Sequence, residues 1–309
     1  MTISIHRLPV VVALMAAVLV AGSSAAQDRS GSGLTDESVD VTRGTRFRLE
    51  SLYGAVTVRG WDKDVVRVQA RHAPGERVQV RRGRSVVSAT DESDRGPSGR
   101  VAYEVDLPRW MPVSIELTFD SITIDGIESE VAAETVRGQI SIKGGRGTVR
   151  AESVEGHVIV EGAKARVEAS SVNDFIRIDG VTGEVSAETT NGSITMSRMQ
   201  SGTIEASSVN GSISYDGAIA DDGQYTMSTH NGDILIAIPE RSNVSLGVRT
   251  YNGAFNSDLA VKGTAPSRRG GRATYVLGSG SAQMDLESFG GAIKVRNSAT
   301  AERGTRRDR

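Results

Sequence analysis

Five aspartates are the residues of this 309-residue chain that could most readily do chemistry. Asp125 and Asp179 form one candidate pair, and Asp216 with Asp221 and Asp222 forms another. Two carboxyl groups held at a fixed separation are what glycoside hydrolysis requires, one as acid and one as nucleophile or base. Acidic residues at outward strand ends are also ordinary solvated surface. A carbohydrate-active enzyme, a polysaccharide lyase or hydrolase, is therefore the alternative function and not the leading one.

Other catalytic or metal-binding patterns are absent from the sequence. His72, His157 and His230 fall at non-equivalent positions, and no spacing of His, Asp and Glu resembles a metal site. The chain has no cysteine, which excludes disulfides and thiolate metal sites. The segment Gly278-Ser279-Gly280-Ser281 lacks the strand–turn–helix setting of a nucleophile elbow. The sequence thus predicts no catalytic, cofactor-binding or metal-binding residues and no cofactor.

The elements that would position any site are set by an internal repeat. From Asp120 to Gly192 a short pattern returns every 18 residues, for example Val136-Arg137-Gly138-Gln139-Ile140 and Val154-Glu155-Gly156-His157-Val158, and it continues at looser spacing after Gly192. A fixed period of this length indicates a stacked repeat architecture. Copies centre on Gly54, Asp120, Gly138, Gly156, Asp174, Gly192, Gly211, Gly232, Gly253 and Gly291, which predicts about ten coils.

Within each copy the apolar residues alternate with the period of a strand. Ile140 and Ile142 follow one corner, and a second strand reads Val149-x-Ala151-x-Ser153. Parallel strands joined by a crossover connect in the right-handed sense in nearly all proteins. The fold class predicted is therefore all-β, a right-handed parallel β-solenoid over residues 39–296 with two strands per coil.

Two further ranks of residues are interpreted as structural. Four Asn-Gly pairs place the residues most tolerant of positive φ at one corner, with the amides bonding along the stack: Asn191-Gly192, Asn210-Gly211, Asn231-Gly232 and Asn252-Gly253. A rank of hydroxyl residues mostly follows alanine in the inward phase, which predicts a hydroxyl ladder at the core edge and not an ice-binding face: Thr135, Ser153, Ser171, Thr189, Ser208, Thr229 and Thr250.

The N-terminus has the features of a cleaved signal peptide, residues 1–26. His6 and Arg7 precede an apolar run from Leu8 to Val20, and Ser24-Ala25-Ala26 fits the small-x-small cleavage rule. The run is short for a membrane span, and no second run of spanning length follows. We therefore expect an exported protein, periplasmic or extracellular, with no transmembrane segment in the mature chain.

The remaining segments are predicted to be irregular. Residues 27–38 read as a flexible leader and residues 297–309 as a basic disordered tail, while Ser88–Arg100 and Lys262–Arg272 read as loops. The basic cluster of Arg77, Arg81, Arg82 and Arg84 reads as solvated surface. A net charge of −2 gives no sign of nucleic-acid affinity.

Several segments together resemble a known family, the bacterial exported β-solenoids regarded as candidate adhesins, most of them of unknown function. The matching segments are Tyr103–Pro108, Val113–Leu117, the Asn-Gly-Ser-Ile coils at 191 and 210, Ala237–Pro239, Val244–Leu246, Thr250–Gly253 and Leu286–Ile293. The resemblance covers residues 40–296 and implies a right-handed β-solenoid in the cell envelope, with no catalytic residues to carry over. The predicted function is a non-enzymatic binding or scaffold module whose partner is an envelope protein or polysaccharide.

Overall fold

A computed structural model describes residues 33–74, 76–93, 99–264 and 270–298. Its named elements are 27 strands. In chain order they are β1 (Gly33–Asp40), β2 (Arg46–Tyr53), β3 (Val56–Trp61), β4 (Val65–His72), β5 (Glu76–Arg82), β6 (Val86–Ser93), β7 (Ala102–Pro108), β8 (Val113–Phe119), β9 (Ile122–Ile127), β10 (Val131–Arg137), β11 (Ile140–Gly144), β12 (Arg146–Glu155), β13 (Val158–Glu161) and β14 (Lys164–Ser171). They continue as β15 (Ile176–Asp179), β16 (Val185–Thr189), β17 (Ile194–Met199), β18 (Thr203–Ser208), β19 (Ile213–Gly217), β20 (Gln224–Thr229), β21 (Ile234–Ile238), β22 (Val244–Thr250), β23 (Phe255–Ser257), β24 (Lys262–Thr264), β25 (Ala273–Leu277), β26 (Ala282–Ser288) and β27 (Ile293–Asn297).

The strands form two facing sheets, and the chain passes from one to the other twice in each coil. Sheet A has 13 strands and sheet B has 14. Ile140 lies opposite Val158 in sheet A, and Val158 lies opposite Ile176, all three fully buried. Equivalent residues therefore stack from coil to coil with their aliphatic side chains between the sheets, each worth roughly 1.5–3 kcal/mol of burial. The all-β solenoid with two strands per coil is confirmed.

Among the described residues, eleven pairs of strands make coils, one more than the ten repeats counted in the sequence. The additional coil is β6–β7. The sequence placed a loop over Ser88–Arg100, but β6 runs to Ser93 with Val87 and Ala89 fully buried. The predicted loop was wrong over its first six residues because the inward set there is only Val and Ala between polar neighbours. Residues 94–98 lie outside the described part.

The coils do not all stack in chain order. From β8 to β21 each coil lies on its predecessor, but β2 pairs with β6 and β8, and β3 pairs with β7 and β9. At the other end, β26–β27 lies between β20–β21 and β22–β23. Gly291 thus stacks on Gly232, and Gly253 stacks on Gly291. The sequence suggested that the coils at Gly232, Gly253 and Gly291 stack in that order. In the structure, the coil at Gly291 lies between the other two.

Antiparallel strands cover the two ends of the stack. β1 and β4 extend sheet A beside β7, β5 pairs with β6, and β24 and β25 extend sheet B beside β22. Residues 33–38 were predicted to be a flexible leader and instead belong to β1. The side chain of Arg67 holds that strand by donating to both oxygens of Asp36 at 2.9 and 2.7 Å. This hydrogen bonding lowers the pKa of the Asp36 carboxyl.

The second predicted loop, Lys262–Arg272, is also wrong at its start. Lys262–Thr264 form β24, which pairs with β25. Residues 265–269 lie outside the described part, as do the predicted signal peptide and residues 299–309, so those interpretations stay predictions. The predicted tail began at Asn297, which instead ends β27. Among the residues that the structure describes, none belongs to a helix long and apolar enough to cross a bilayer.

The glycines of the four Asn-Gly pairs are required by a close approach of backbone and not by positive φ. The φ angles of Gly192, Gly211, Gly232 and Gly253 lie outside the left-handed region. A Cβ on Gly211 would lie 1.9 Å from the carbonyl oxygen of Gly192, and one on Gly232 would lie 2.1 Å from that of Gly211. The expectation that these glycines supply positive φ is corrected: they allow one corner to rest on the next.

Two hydrogen-bonded ladders run along this corner, as the sequence predicted. The amide of Asn191 donates to Asn173, that of Asn210 to Asn191 and that of Asn231 to Asn210, each at 2.9 Å. Inside, each hydroxyl of the core-edge rank donates to a corner carbonyl of the adjacent coil, as Ser208 does to Gly192 at 2.9 Å. Ser288, missed in the sequence because its coil is out of order, joins the rank by donating to Gly232 at 2.9 Å.

Candidate functional site

A concave surface lies on the outward face of sheet B, toward the N-terminal end of the stack. It is an open groove of about 960 Å³. We call it the glutamate groove, and its lining is Glu50, Ser51, Leu52, Thr90, Asp91, Glu116, Leu117, Thr118, Glu134, Thr135, Val136, Glu152, Ser153, Val154, Ser170 and Val172. Its lining residues belong to β2, β6, β8, β10, β12 and β14, except Val172, which directly follows β14.

One side of the groove is a rank of glutamates. Glu50, Glu116, Glu134 and Glu152 occupy equivalent positions on four adjacent strands. Neighbouring strands lie about 4.8 Å apart, so the carboxylates follow one another at about that step. They face outward because they alternate with inward residues of the same strands, as Glu152 does between Ala151 and Ser153.

Two arginines lie beside this glutamate rank. Arg48 contacts Glu50 at 2.5 Å and Glu116 at 3.0 Å, and its side chain is half exposed. Arg150 contacts Glu152 at 2.6 Å and lies 4.0 Å from Glu134. Arg150 also reaches Glu168, outside the groove, at 3.5 Å. Exposed ion pairs of this kind contribute about 0–1 kcal/mol each, so they order the side chains more than they stabilise the fold.

The other side of the groove is apolar and exposed. Val136, Val154 and Val172 occupy equivalent outward positions, with 48%, 41% and 37% of their surface accessible. Beyond the groove the equivalent positions are Thr190, Val209, His230 and Phe289, so the rank continues with polar residues between its apolar ones. Within the described residues, the large hydrophobic side chains that are exposed number six, and five of them lie in this single rank. A row of aliphatic side chains left in water is typical of a binding surface.

The groove can therefore hold a ligand by two different forces. Four glutamates face it, whereas Arg48 and Arg150 are the cations that contact the rank, so its charge is negative. Asp91 also borders the groove, but its carboxylate accepts a hydrogen bond from the buried hydroxyl of Tyr103 at 3.4 Å. The valine rank can bury aliphatic groups at about 25 cal/mol for each Å² removed from water. Among the described residues, no group of three or more His, Cys, Asp or Glu side chains has the geometry to hold a metal ion.

The structure does not bring Asp125 and Asp179 together. Asp125 lies opposite Lys143, Lys143 opposite Glu161, and Glu161 opposite Asp179. Three strand spacings of about 4.8 Å separate the two aspartates by about 14 Å, beyond the separation of a glycosidase pair. Asp179 also makes an ion pair with Arg198. This pair is unsuited to the two-carboxylate chemistry.

The second group of aspartates lies near the turn between β19 and β20. Asp216 belongs to β19, and Asp221 accepts a hydrogen bond from the hydroxyl of Ser281 at 3.3 Å. Asp222 follows in the turn with a φ of 59°. None of the three lines the glutamate groove.

The histidines lie at three separate places, as their sequence positions indicated. His157 stacks on Phe175 with ring centroids 4.7 Å apart, and its Nδ1 lies 3.9 Å from an oxygen of Asp174. His230 stacks on Phe289 at 4.7 Å. His72 contacts the hydroxyl of Thr35 at 3.1 Å. Ring stacking between coils accounts for the first two.

Sequence reasoning named no residue of the groove as functional. A signal was present, since Glu134-Thr135-Val136 and Glu152-Ser153-Val154 recur at the repeat distance. A glutamate and a valine flanking an inward hydroxyl must both point outward. Their recurrence predicts a charged rank beside an apolar one, but the contributions of Glu50 and Asp91 depend on the altered order of coils.

Comparison with known proteins gives one family match. A model of the Toastrack DUF4097 family matches residues 113–296, more than half of the chain. No curated protein matches the sequence significantly. Solved structures with some similarity include a candidate adhesin from Parabacteroides distasonis (10% identity, TM-score 0.44, covering 86% of this chain and 98% of that one) and another from Parabacteroides merdae (9%, 0.32, 85% and 95%). A candidate cell adhesion protein from Clostridium sporogenes matches at 10% identity and a TM-score of 0.25, over 86% of this chain and 100% of that one.

Proposed function

Because the chain belongs to the Toastrack DUF4097 family, we propose that it is a non-enzymatic binding or scaffold module exported to the bacterial cell envelope. The predicted signal peptide and the resemblance to exported candidate adhesins support the location. The partner is a component of the envelope.

The observation that carries this proposal is the valine rank of the glutamate groove. Charged pairs cover much of the outward surface of both sheets, as at Arg166 with Glu184 and at Lys143 with Glu161. Against that surface, Val136, Val154 and Val172 leave aliphatic groups in water on three successive coils. A partner that covered them would recover the free energy of their exposure.

A binding assay with envelopes tests the proposal. Mature protein would be mixed with isolated envelopes of the source bacterium, and the sedimented fraction measured. Val154→Asn should lower the apparent affinity about fivefold, since covering half a valine is worth about 1 kcal/mol. Ile159→Asn is the matched control, because Ile159 is a partly buried β-branched residue facing outward on sheet A. Absence of sedimentation, or equal loss with both variants, would contradict the proposal.

One geometric feature keeps the carbohydrate-active alternative testable. Adjacent groove carboxylates, such as those of Glu134 and Glu152, are about one strand spacing apart, which is close to the separation in retaining glycosidases. A glycosidase acid, however, is kept protonated by an apolar setting, whereas Arg150 lies between these two. Release of reducing ends or unsaturated sugars from envelope polysaccharide by the purified protein, lost in Glu152→Gln, would establish the enzyme instead.

A further inference from the structure

We propose that the glutamate groove binds an extended basic segment of a protein partner, whose Lys or Arg side chains meet the glutamate rank while its aliphatic side chains cover the valine rank. This rests on the proposed function and names the chemistry of its partner. The argument depends on the charge of the groove, its apolar side and the repeat distance of its ranks.

Charge complementarity selects a cationic occupant. Glu50, Glu116, Glu134 and Glu152 all line the groove with outward side chains. Arg48 and Arg150 balance two of these four charges, and Arg150 is further shared with a glutamate outside the groove. Each carboxylate has two oxygens that accept several hydrogen bonds, so the paired glutamates retain acceptors for a second donor. An anionic polymer would be repelled by the same surface.

The apolar side requires that the occupant also present aliphatic groups. Each valine of the groove lies two residues after an outward polar residue of the same coil: Val136 after Glu134, Val154 after Glu152 and Val172 after Ser170. A ligand with positive charge alone would leave these valines in water. A chain carrying both groups satisfies both sides of the groove at once, and a polypeptide with basic and aliphatic residues has that composition.

The repeat distance of the ranks fits one extended conformation. Two coils advance about 9.6 Å along the groove. A polyproline II segment advances about 9.3 Å in three residues. Every third side chain of the segment would therefore take an equivalent position at every second coil. In a β-strand, side chains on the same face are about 6.7 Å apart, which does not match the spacing of two coils. A three-residue repeat of Lys, Val and Pro is therefore a suitable probe.

The test measures binding of fluorescein-labelled peptides to the mature protein by fluorescence anisotropy. The probe contains four Lys-Val-Pro repeats. One control peptide replaces each Lys with Glu, and a second replaces each Val with Ser. We expect measurable binding of the probe, loss of binding for the Glu peptide, and weakening of at least threefold for the Ser peptide. Affinity should fall as salt shortens the Debye length from about 10 Å at 0.1 M.

Variants locate the binding on the protein. The double change Glu134→Gln and Glu152→Gln should weaken the probe about three- to tenfold, as expected for two exposed charge pairs. Glu188→Gln with Glu205→Gln is the matched control, since both lie exposed on sheet B outside the groove. Urea midpoints would show that both double variants keep the stability of the parent.

The outcomes separate this inference from the function on which it rests. No probe binding, equal weakening by both double variants, or tight binding of the Glu peptide overturns the inference. If the protein then still sediments with envelopes and Val154→Asn still lowers its affinity for them, the proposed binding function is retained. The partner would then have another chemistry, such as that of a neutral polysaccharide. If it does not sediment, the proposed function itself is wrong.

Discussion

Replacing Gly211 with alanine tests how the coils rest on one another. The new Cβ would lie 1.9 Å from the carbonyl oxygen of Gly192 and 2.4 Å from its carbon. Ordinary contact begins at about 3.4 Å, so the two corners must separate by about 1.5 Å. The φ of Gly211 is outside the left-handed region, so the effect is one of contact distance and not of backbone preference.

The expected cost follows from what the separation breaks. Inserting a methyl group into close-packed structure costs about 1–3 kcal/mol. The shift also stretches hydrogen bonds between the two corners, including Ser208 to Gly192 at 2.9 Å and Asn210 to Thr190 at 2.8 Å. Each contributes about 0.5–1.5 kcal/mol. We therefore expect Gly211→Ala to lower the free energy of unfolding by about 2–4 kcal/mol.

Urea unfolding followed by far-UV circular dichroism measures this change. Gly202→Ala is the matched control, because its Cβ would meet only the Cβ of Ala220 at 3.8 Å and its φ is not left-handed. The control should change stability by at most about 1 kcal/mol, in the stabilising direction. Because stability in a stack is a sum over neighbouring layers, Gly211→Ala should also reduce the steepness of the transition. Equal midpoints for the two variants would refute the close-approach argument.

Three further predictions concern the core. Ile176→Asp places an unpaired charge in a fully buried rank and should uncouple the halves of the stack, giving two transitions or none; a melting curve like the parent's would show that Ile176 does not face inward. Ser208→Ala removes the hydrogen bond to Gly192 and should cost about 1 kcal/mol in urea unfolding, whereas an unchanged midpoint would contradict a stabilising hydroxyl ladder. Burial raises the pKa of the Tyr103 and Tyr215 hydroxyls, so their contribution to stability is complete below about pH 10 and is lost as pH rises above it, and Tyr215→Phe should flatten that loss in urea midpoints.

The regular middle of the fold could be predicted from the sequence because its signals are local. Ile140, Val158 and Ile176 recur at one distance and stack at that same distance. The hydrogen bonds of Ser153 and Ser171 were predictable for the same reason. An inward hydroxyl needs a hydrogen-bond partner, and a carbonyl group at the corner of the adjacent coil provides it.

The order of the end coils could not be predicted in the same way. Any inward valine or leucine stacks equally well on any other, so the pattern around Gly54 does not record which coil lies beside it. The long segments 62–101 and 254–281 allow the chain to leave the stack and return on either side. The glutamate groove was missed for this reason too, because Glu50 joins the glutamate rank only through the pairing of β2 with β8.

The placement of the first and last coils restricts how such a protein can change in length. β2–β3 and β26–β27 are interior layers, each held between two others. Trimming either of them would therefore remove a middle layer and leave the end cap without support. We expect duplication or deletion of whole coils to be accommodated between β8 and β21, where chain order and spatial order agree. Gains in length there would extend the valine and glutamate ranks without disturbing either cap.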